Sequence, residues 1–457
     1  MRAVLTIALL GASALGQNET FSKRFEFASR LRSLESAWIA HTQAEVRTQA
    51  VRIVERAGTA YFAGDVTGAM DLLDEARGLL VPRRMRWAQC LTITPARRLV
   101  DVDDRTLLLK LEQVYPCNDW RSFCLLGEAI DDNAQFGPIE LKRLLGQAPE
   151  EGEFHETLDL FDGDFEWYMP PLHISIVERR DERLAAVKAA IEAASAKGPK
   201  LEVGTAEMLS GLLNSLASGS TEAHEYPGAR LLDEAEQVVA AAAKGERWYG
   251  PQRDGEYWLA LPVGDASVRA RVFVPQGLSR EKPAPLVLAL HGRAFDEDTW
   301  FDGYGCGQSV ELCRRRGWLL AAPRCDGNED AAKLDAIAKA LGEAYPIDSK
   351  RVLLVGHSRG GGSVLKALTQ APEHFRAAAT IGAALAPDES KPLAKLPLFL
   401  AAGDHDFARE GVEAMHAALI AAGSTTATFK LCPNTEHWLA VTDALPDAFA
   451  WFDAQLK

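Results

Sequence analysis

The stretch Arg351-Val-Leu-Leu-Val-Gly-His-Ser-Arg-Gly-Gly-Gly362 constrains the fold of this 457-residue chain more than any other. Val352 to Val355 is a short unbroken apolar run, the pattern of a strand buried on both faces of a parallel sheet. It leads straight into Gly356-His357-Ser358-Arg359-Gly360, a G-x-S-x-G. Val364, Leu365 and Leu368 follow with helical spacing. A strand, a tight turn with a central serine and a helix together lift a serine hydroxyl above the end of a sheet. The turn needs small flanking residues, which Gly356 and Gly360 supply. Gly361 and Gly362 are expected to let the helix start close against the sheet. A glycine-rich turn with an idle serine would carry the same five letters, so the serine's partners must decide.

Three further signals sit in suitable places. Leu286 to Leu290 reads as a buried strand and ends in His291-Gly292-Arg293. The backbone N–H of Arg293 or Ala294 there, with the N–H of Arg359, would form an oxyanion hole. His291 itself reads as a structural hydrogen-bonding residue rather than a base. Leu398 to Ala402 is a strand leading to Gly403-Asp404-His405-Asp406. A carboxylate at that end can hold a histidine tautomer, and the spacing favours Asp406 over Asp404, which is left to cap the turn. Thr426 to Leu431 is a strand followed by a loop carrying His437, in the position of a general base. The chain order Ser358, Asp406, His437 is that of a nucleophile, its orienting acid and its base on such a sheet.

Strand and helix signals alternate from Arg247 to the last residue, which means an open, mostly parallel sheet with helices on both faces. With His291-Gly292, Gly356–Gly360, Gly403-x-x-Asp406 and His437-Trp438, this half resembles an α/β-hydrolase-fold serine esterase. The likeness is to the feruloyl-esterase, polyhydroxybutyrate-depolymerase and prolyl-oligopeptidase-like branch. It implies an exported hydrolase that cleaves a carboxylic ester, of a small molecule or linked to a polymer, through an acyl-enzyme. It implies no metal or organic cofactor. The alternatives are a serine peptidase of the prolyl-oligopeptidase kind and a binding protein that keeps the fold without catalysis. Phe295, Trp300, Phe301, Tyr304 and Trp438 lie near the expected crevice in sequence and are read either as its lining or as core.

The rest of the chain is read as four units. Residues 1–16 form a basic, then apolar, then small-residue segment, the pattern of a secretory signal. Residues 17–82 read as a helical hairpin broken at Ala63-Gly64-Asp65, and 83–178 as a small antiparallel β-domain in which Leu107, Leu109 and Leu111 alternate with Leu108, Lys110 and Glu112. Trp87, Trp120, Trp167 and Tyr168 there are either core or a binding face. Residues 179–245 read as a helical connector and 246–457 as the catalytic domain. On this reading a chain starting near Lys244 is a separable catalytic module.

A hydrophobic fraction of 47% with 25% charged residues supports ordinary globular cores. The net charge of −14 argues against nucleic acid or an anionic membrane as partner. No second stretch is long and apolar enough to span a bilayer. The seven cysteines include no C-x-x-C, so no zinc or dithiol motif is indicated.

Overall fold

The computed structural model describes residues 17–81, 89–104, 106–116, 123–125, 128–130, 139–144, 150–156, 158–162, 165–168, 172–220, 225–293, 295–327 and 329–457. The expected signal segment at 1–16 lies outside them. So do Trp87 and Trp120 and the side chains of Trp167 and Tyr168.

Eight strands form the central sheet: Gly255–Val263 (β11), Ala266–Val274 (β12), Ala284–Leu290 (β13), Leu319–Pro323 (β14), Ile347–His357 (β15), Ala377–Ile381 (β16), Leu398–Gly403 (β17) and Thr428–Cys432 (β18). Their spatial order is β11-β12-β14-β13-β15-β16-β17-β18. β12 runs antiparallel to both neighbours, and every pair from β14 to β18 is parallel. The fold is that of an α/β-hydrolase. The unbroken apolar runs have a two-sided explanation. In β13, Leu286, Leu288 and Leu290 join one core while Val287 and Ala289 join another on the opposite face.

Five helices flank this sheet: Gln308–Arg316 (α7), Ala331–Ala344 (α8), Arg359–Gln370 (α9), Arg409–Ala421 (α10) and Leu439–Gln455 (α11). Residues of α8, α9 and α10 belong to the first core, and those of α7 and α11 to the second.

The preceding residues do more than connect. Arg180–Ala194 (α4), Lys200–Ser218 (α5) and Gly228–Ala242 (α6) are amphipathic. Their apolar faces share one core with the sheet: Leu209, Leu213, Leu231 and Val238 join Leu259, Leu261, Val272 and Leu286. The expected connector is therefore part of the hydrolase body, because a face this apolar cannot stay in water.

The N-terminal unit has three helices rather than the two of a hairpin: Gln17–Ala40 (α1), Ala44–Phe62 (α2) and Val66–Leu80 (α3). The additional break at His41–Gln43 has no glycine or proline to announce it. The Arg47 guanidinium stabilises it instead, donating to the carbonyls of Trp38 and His41 that end α1 (2.6 and 2.8 Å). The expected break at Gly64-Asp65 is present, with Asp65 Oδ1 accepting from Gly68 N–H (2.8 Å) as the α3 cap.

Among the described residues the β-rich segment forms three small sheets. Leu91–Pro95 (β1), Thr106–Gln113 (β3) and Ile139–Leu144 (β6) make the first. Leu99–Asp101 (β2), Gly152–Glu156 (β7) and Leu172–Val177 (β10) make the second. Phe123–Leu125 (β4), Glu128–Ile130 (β5), Asp159–Asp162 (β8) and Phe165–Tyr168 (β9) make the third. One pair, β2 with β10, is parallel, which a purely antiparallel reading did not include. Leu107, Leu109 and Leu111 point inward as their alternation requires, into a core shared with α1–α3. Trp438 and Leu439, from the far end of the sequence, complete that same core. Among the described residues no helix is long and apolar enough to cross a membrane.

Candidate active site

Ser358 sits between β15 and α9 with φ 52° and ψ −119°, a left-handed backbone that a non-glycine residue adopts only under constraint. Its N–H donates to Ile381 O (2.9 Å), anchoring the turn on β16. The constraint comes from close backbone crossings. A Cβ on Gly360 would meet Leu290 O at 2.2 Å, and one on Gly356 would meet Gly360 O at 2.6 Å. Gly361 is also tight, its Cβ falling 2.6 Å from that of Ala383. Gly362 faces open space, so the expectation that it too brings the helix close is not met.

His437 and Asp406 come together although β18 separates them in sequence. His437 Nδ1–H donates to Asp406 Oδ1 (2.9 Å), and both residues are buried. A carboxylate can only accept here, so the proton is assigned to Nδ1 and Nε2 is left as the acceptor. Nε2 is buried and has no hydrogen-bond partner among the described residues. Asp406 Oδ1 also accepts from Ala408 N–H (2.8 Å). No hydrogen bond joins Ser358 to His437 among the described residues, and such contacts in unliganded sites are often long.

Asp404 has a different task. Its Oδ1 accepts from Thr435 N–H (3.1 Å), while His405 N–H donates to Thr435 O (3.0 Å). These bonds lace the loop after β17 to the loop carrying His437. Glu436 closes the far side, accepting from the N–H groups of Trp438 and Leu439 (2.9 and 2.8 Å) and so capping α11. Burial pushes the Glu436 carboxyl up to about 7, and those N–H groups oppose the rise.

Two further residues hold this arrangement, one that sequence reasoning did not name and one that it read only as crevice lining or core. Gly382 follows β16 with φ 62°, and a Cβ there would lie 2.8 Å from His437 Cε1 and Nδ1 and 3.0 Å from Asp406 Oδ2. A glycine at the carboxyl end of an apolar strand was the available signal. Tyr304 is the other. His357 Nε2 lies 3.0 Å from His437 O, which must accept, so the proton is assigned to Nε2. His357 Nδ1 then accepts from Tyr304 O–H (2.6 Å), and Tyr304 in turn accepts from Gly292 N–H (3.2 Å). Burial, reinforced by His437, holds His357 well below the usual histidine range, so it stays neutral. One relay of hydrogen bonds thus joins the β13 loop, the serine turn and the His437 loop.

The β13 loop matches its expected layout in part. His291 Nε2 accepts from Cys325 N–H (2.9 Å) and its Nδ1 lies 2.8 Å from Gly292 O. It is a buried scaffold. The N–H groups of Arg293 and Arg359 make no hydrogen bond among the described residues. Ala294 lies outside those residues. Of the five aromatics expected near the crevice, Trp300, Phe301, Tyr304 and Trp438 are buried core and Phe295 is partly buried against it.

The N-terminal helices dock directly on the two loops. Trp438, 1% exposed, meets Phe27 and Tyr61 edge-on (ring centroids 5.4 and 5.6 Å), which stack on each other at 4.4 Å. Thr48 Oγ1 donates to Asn434 Oδ1 (2.9 Å), and His405 Nδ1 lies 3.5 Å from Glu55 Oε2. A catalytic module starting at Lys244 would lose all of these contacts, so the expectation of separability is revised.

Glu35 of α1 is buried close to the backbone turn at Tyr304 and Gly305. Burial pushes its carboxyl up to about 8. The N–H groups of Gly305 and Tyr304 and the Arg32 charge offset part of that cost, and Glu436 adds to it. Neither Glu35 oxygen reaches hydrogen-bonding geometry. A carboxyl neutral in the fold but ionised once unfolded costs stability as pH rises from 4.5 to about 8, and no further above that. Thermal melts of Glu35→Gln and the parent chain should therefore diverge across this range, with the variant higher by roughly 5 °C, and run parallel above it. Parallel curves throughout would refute this account of Glu35.

A cavity of about 930 Å³ lies elsewhere, lined by residues including Glu153, His173, Trp258 and Arg271. Arg271 pairs there with Glu256, Asp298 and Asp302, and His173 Nε2 lies 3.1 Å from Glu153 Oε2. Neither Ser358, Asp406 nor His437 lines it.

Comparison with known proteins gives one family match, to the Prolyl oligopeptidase family over residues 315–386, a segment that contains the serine turn. Among solved structures the chain is similar to a thermostable esterase (18% identity, 45% of this chain and 63% of that one, TM-score 0.37). It is similar to the feruloyl esterase module from Clostridium thermocellum (13%, 45% and 89%, TM-score 0.38). It is also similar to an S-formylglutathione hydrolase from Staphylococcus aureus (17%, 44% and 96%, TM-score 0.38). A search of curated proteins found no match.

Proposed function

We propose that this chain is a serine hydrolase that cleaves a carboxylic ester. The observation that carries the reading is the buried His437–Asp406 pair at 2.9 Å, whose outer nitrogen has no hydrogen-bond partner among the described residues, at the same end of the parallel strands as a serine held in a left-handed turn. Ser358 Oγ attacks the ester carbonyl as His437 Nε2 takes its proton. Asp406 holds the tautomer and stabilises the imidazolium. The unpaired N–H groups of Arg359 and Arg293 suit the negative oxygen of the tetrahedral intermediate. The imidazolium then protonates the leaving alcohol, the C–O bond breaks and an acyl-enzyme forms. Water, deprotonated by His437, attacks that ester and releases the acid and Ser358. No group outside the chain is required.

Hydrolysis of a peptide by the same residues is the second reading, favoured by the family match at residues 315–386. A fluorophosphonate probe followed by peptide mapping tests the shared chemistry, and paired ester and peptide panels separate the two readings. The label is expected on Ser358. Label on any other residue would sink the mechanism.

A further inference from the structure

Two large aromatic side chains stay exposed beside the buried His437–Asp406 pair. Phe407, directly after Asp406, is 70% exposed, and its ring lies 4.3 Å from the His437 ring, centroid to centroid. Phe62, the last residue of α2, is 41% exposed and lies 5.9 Å from the same imidazole. The two phenyl rings meet edge-to-face at 5.5 Å. Phe62 is held in place from behind, since Tyr61 stacks on Phe27 and both pack on Trp438. Rings left in water next to a charge-bearing pair add nothing to the core, yet they form an apolar wall at one defined place.

The chemistry says which part of a substrate meets that wall. In the mechanism above, His437 Nε2 must come within about 3 Å of Ser358 Oγ and then of the leaving oxygen. Groups flanking the imidazole therefore lie alongside the alcohol portion of the ester, whereas the carbonyl oxygen turns to the N–H groups of Arg359 and Arg293 and the acyl chain leaves on the remaining bond of the carbonyl carbon.

We propose that Phe62 and Phe407 form the leaving-group subsite, that it selects esters of aromatic alcohols, and that the N-terminal helical unit supplies half of it. This inference rests on the serine-hydrolase reading and adds to it a substrate class and a role for a segment outside the hydrolase sheet.

The test compares kcat/KM in two series on the full chain. One keeps the acid and varies the alcohol, benzyl against methyl. The other keeps methanol and varies the acid, phenylpropanoate against acetate. Phe62→Ala and Phe407→Ala should each lower the benzyl-to-methyl ratio about tenfold, while the acyl-series ratio moves no more than about twofold. Phe62→Tyr, which keeps the ring, should restore the benzyl preference. A benzyl-to-methyl ratio that does not move, or a fall confined to the acyl series, overturns the proposal. If Ser358 still takes the fluorophosphonate label in that case, only the subsite is wrong. A parent chain that takes no label overturns the serine-hydrolase reading and this inference with it.

Discussion

Ester turnover by Ser358→Ala is expected to fall by about five to six orders of magnitude, with the melting temperature almost unchanged. The hydroxyl is lost from a half-buried position, and the glycines that shape the turn remain. His437→Ala should cost about as much, because nucleophile and base act as one unit. A residue of roughly 10³–10⁴ over water should survive in either, from the N–H donors and substrate binding. Asp406→Asn should cost less, about four orders, since it spoils the tautomer and leaves the rest in place. Asp404→Asn is the internal control. Its contact is an acceptor for Thr435 N–H, which an asparagine oxygen can also provide. Steady-state kcat/KM on one soluble ester, with melts of each variant, checks the order. Undiminished turnover in Ser358→Ala, or equal losses at Asp404 and Asp406, would refute the assignment.

The second large effect concerns residues far from the serine. A chain comprising residues 244–457 is expected to be insoluble or inactive. It keeps Ser358, Asp406 and His437, yet it strips Leu259, Leu261 and Val272 of the residues of α5 and α6 that share their core. It also strips Trp438 of Phe27 and Tyr61. Losing the burial of one such ring costs about 3–5 kcal/mol, a large share of a typical net stability of about 5–15 kcal/mol. Restoring residues 179–243 should recover solubility, because it closes the core over β11. It should not recover full activity, because Trp438 and the loop carrying His437 remain bare. Soluble yield, a cooperative melt and kcat/KM distinguish these states. A well-folded, fully active 244–457 fragment would sink the argument.

The hydrolase half was legible because its strands bury both faces. Such strands appear in sequence as unbroken apolar runs, and Leu286–Leu290 and Val352–Val355 could hardly be anything else. Spacing favoured Asp406 over Asp404, and it is Asp406 that hydrogen-bonds His437 in the structure. What the sequence withheld was partnership between distant segments. The spacing of Phe27, Leu31, Leu34 and Trp38 marks the apolar face of α1 but cannot say that Trp438 and Leu439 help to cover it. Tyr304 reads as one aromatic among several, and only the fold makes it a donor to His357. The α1–α2 break was missed for a related reason, since Arg47 reaches back to carbonyls that no local pattern couples to it.

The packing of Phe27 and Tyr61 on Trp438 also sets an order of events during synthesis. The first helices leave the ribosome long before Trp438 is made, and until then part of their apolar stripe has no cover. The contact that completes the packing around the loop carrying His437 is among the most distant in the sequence, and contacts of that kind form slowly. The waiting helices are in the meantime exposed to wrong partners. On the proposed reading, activity is expected only once the chain is complete, because the loop carrying His437 gains its Phe27 and Tyr61 support through Trp438.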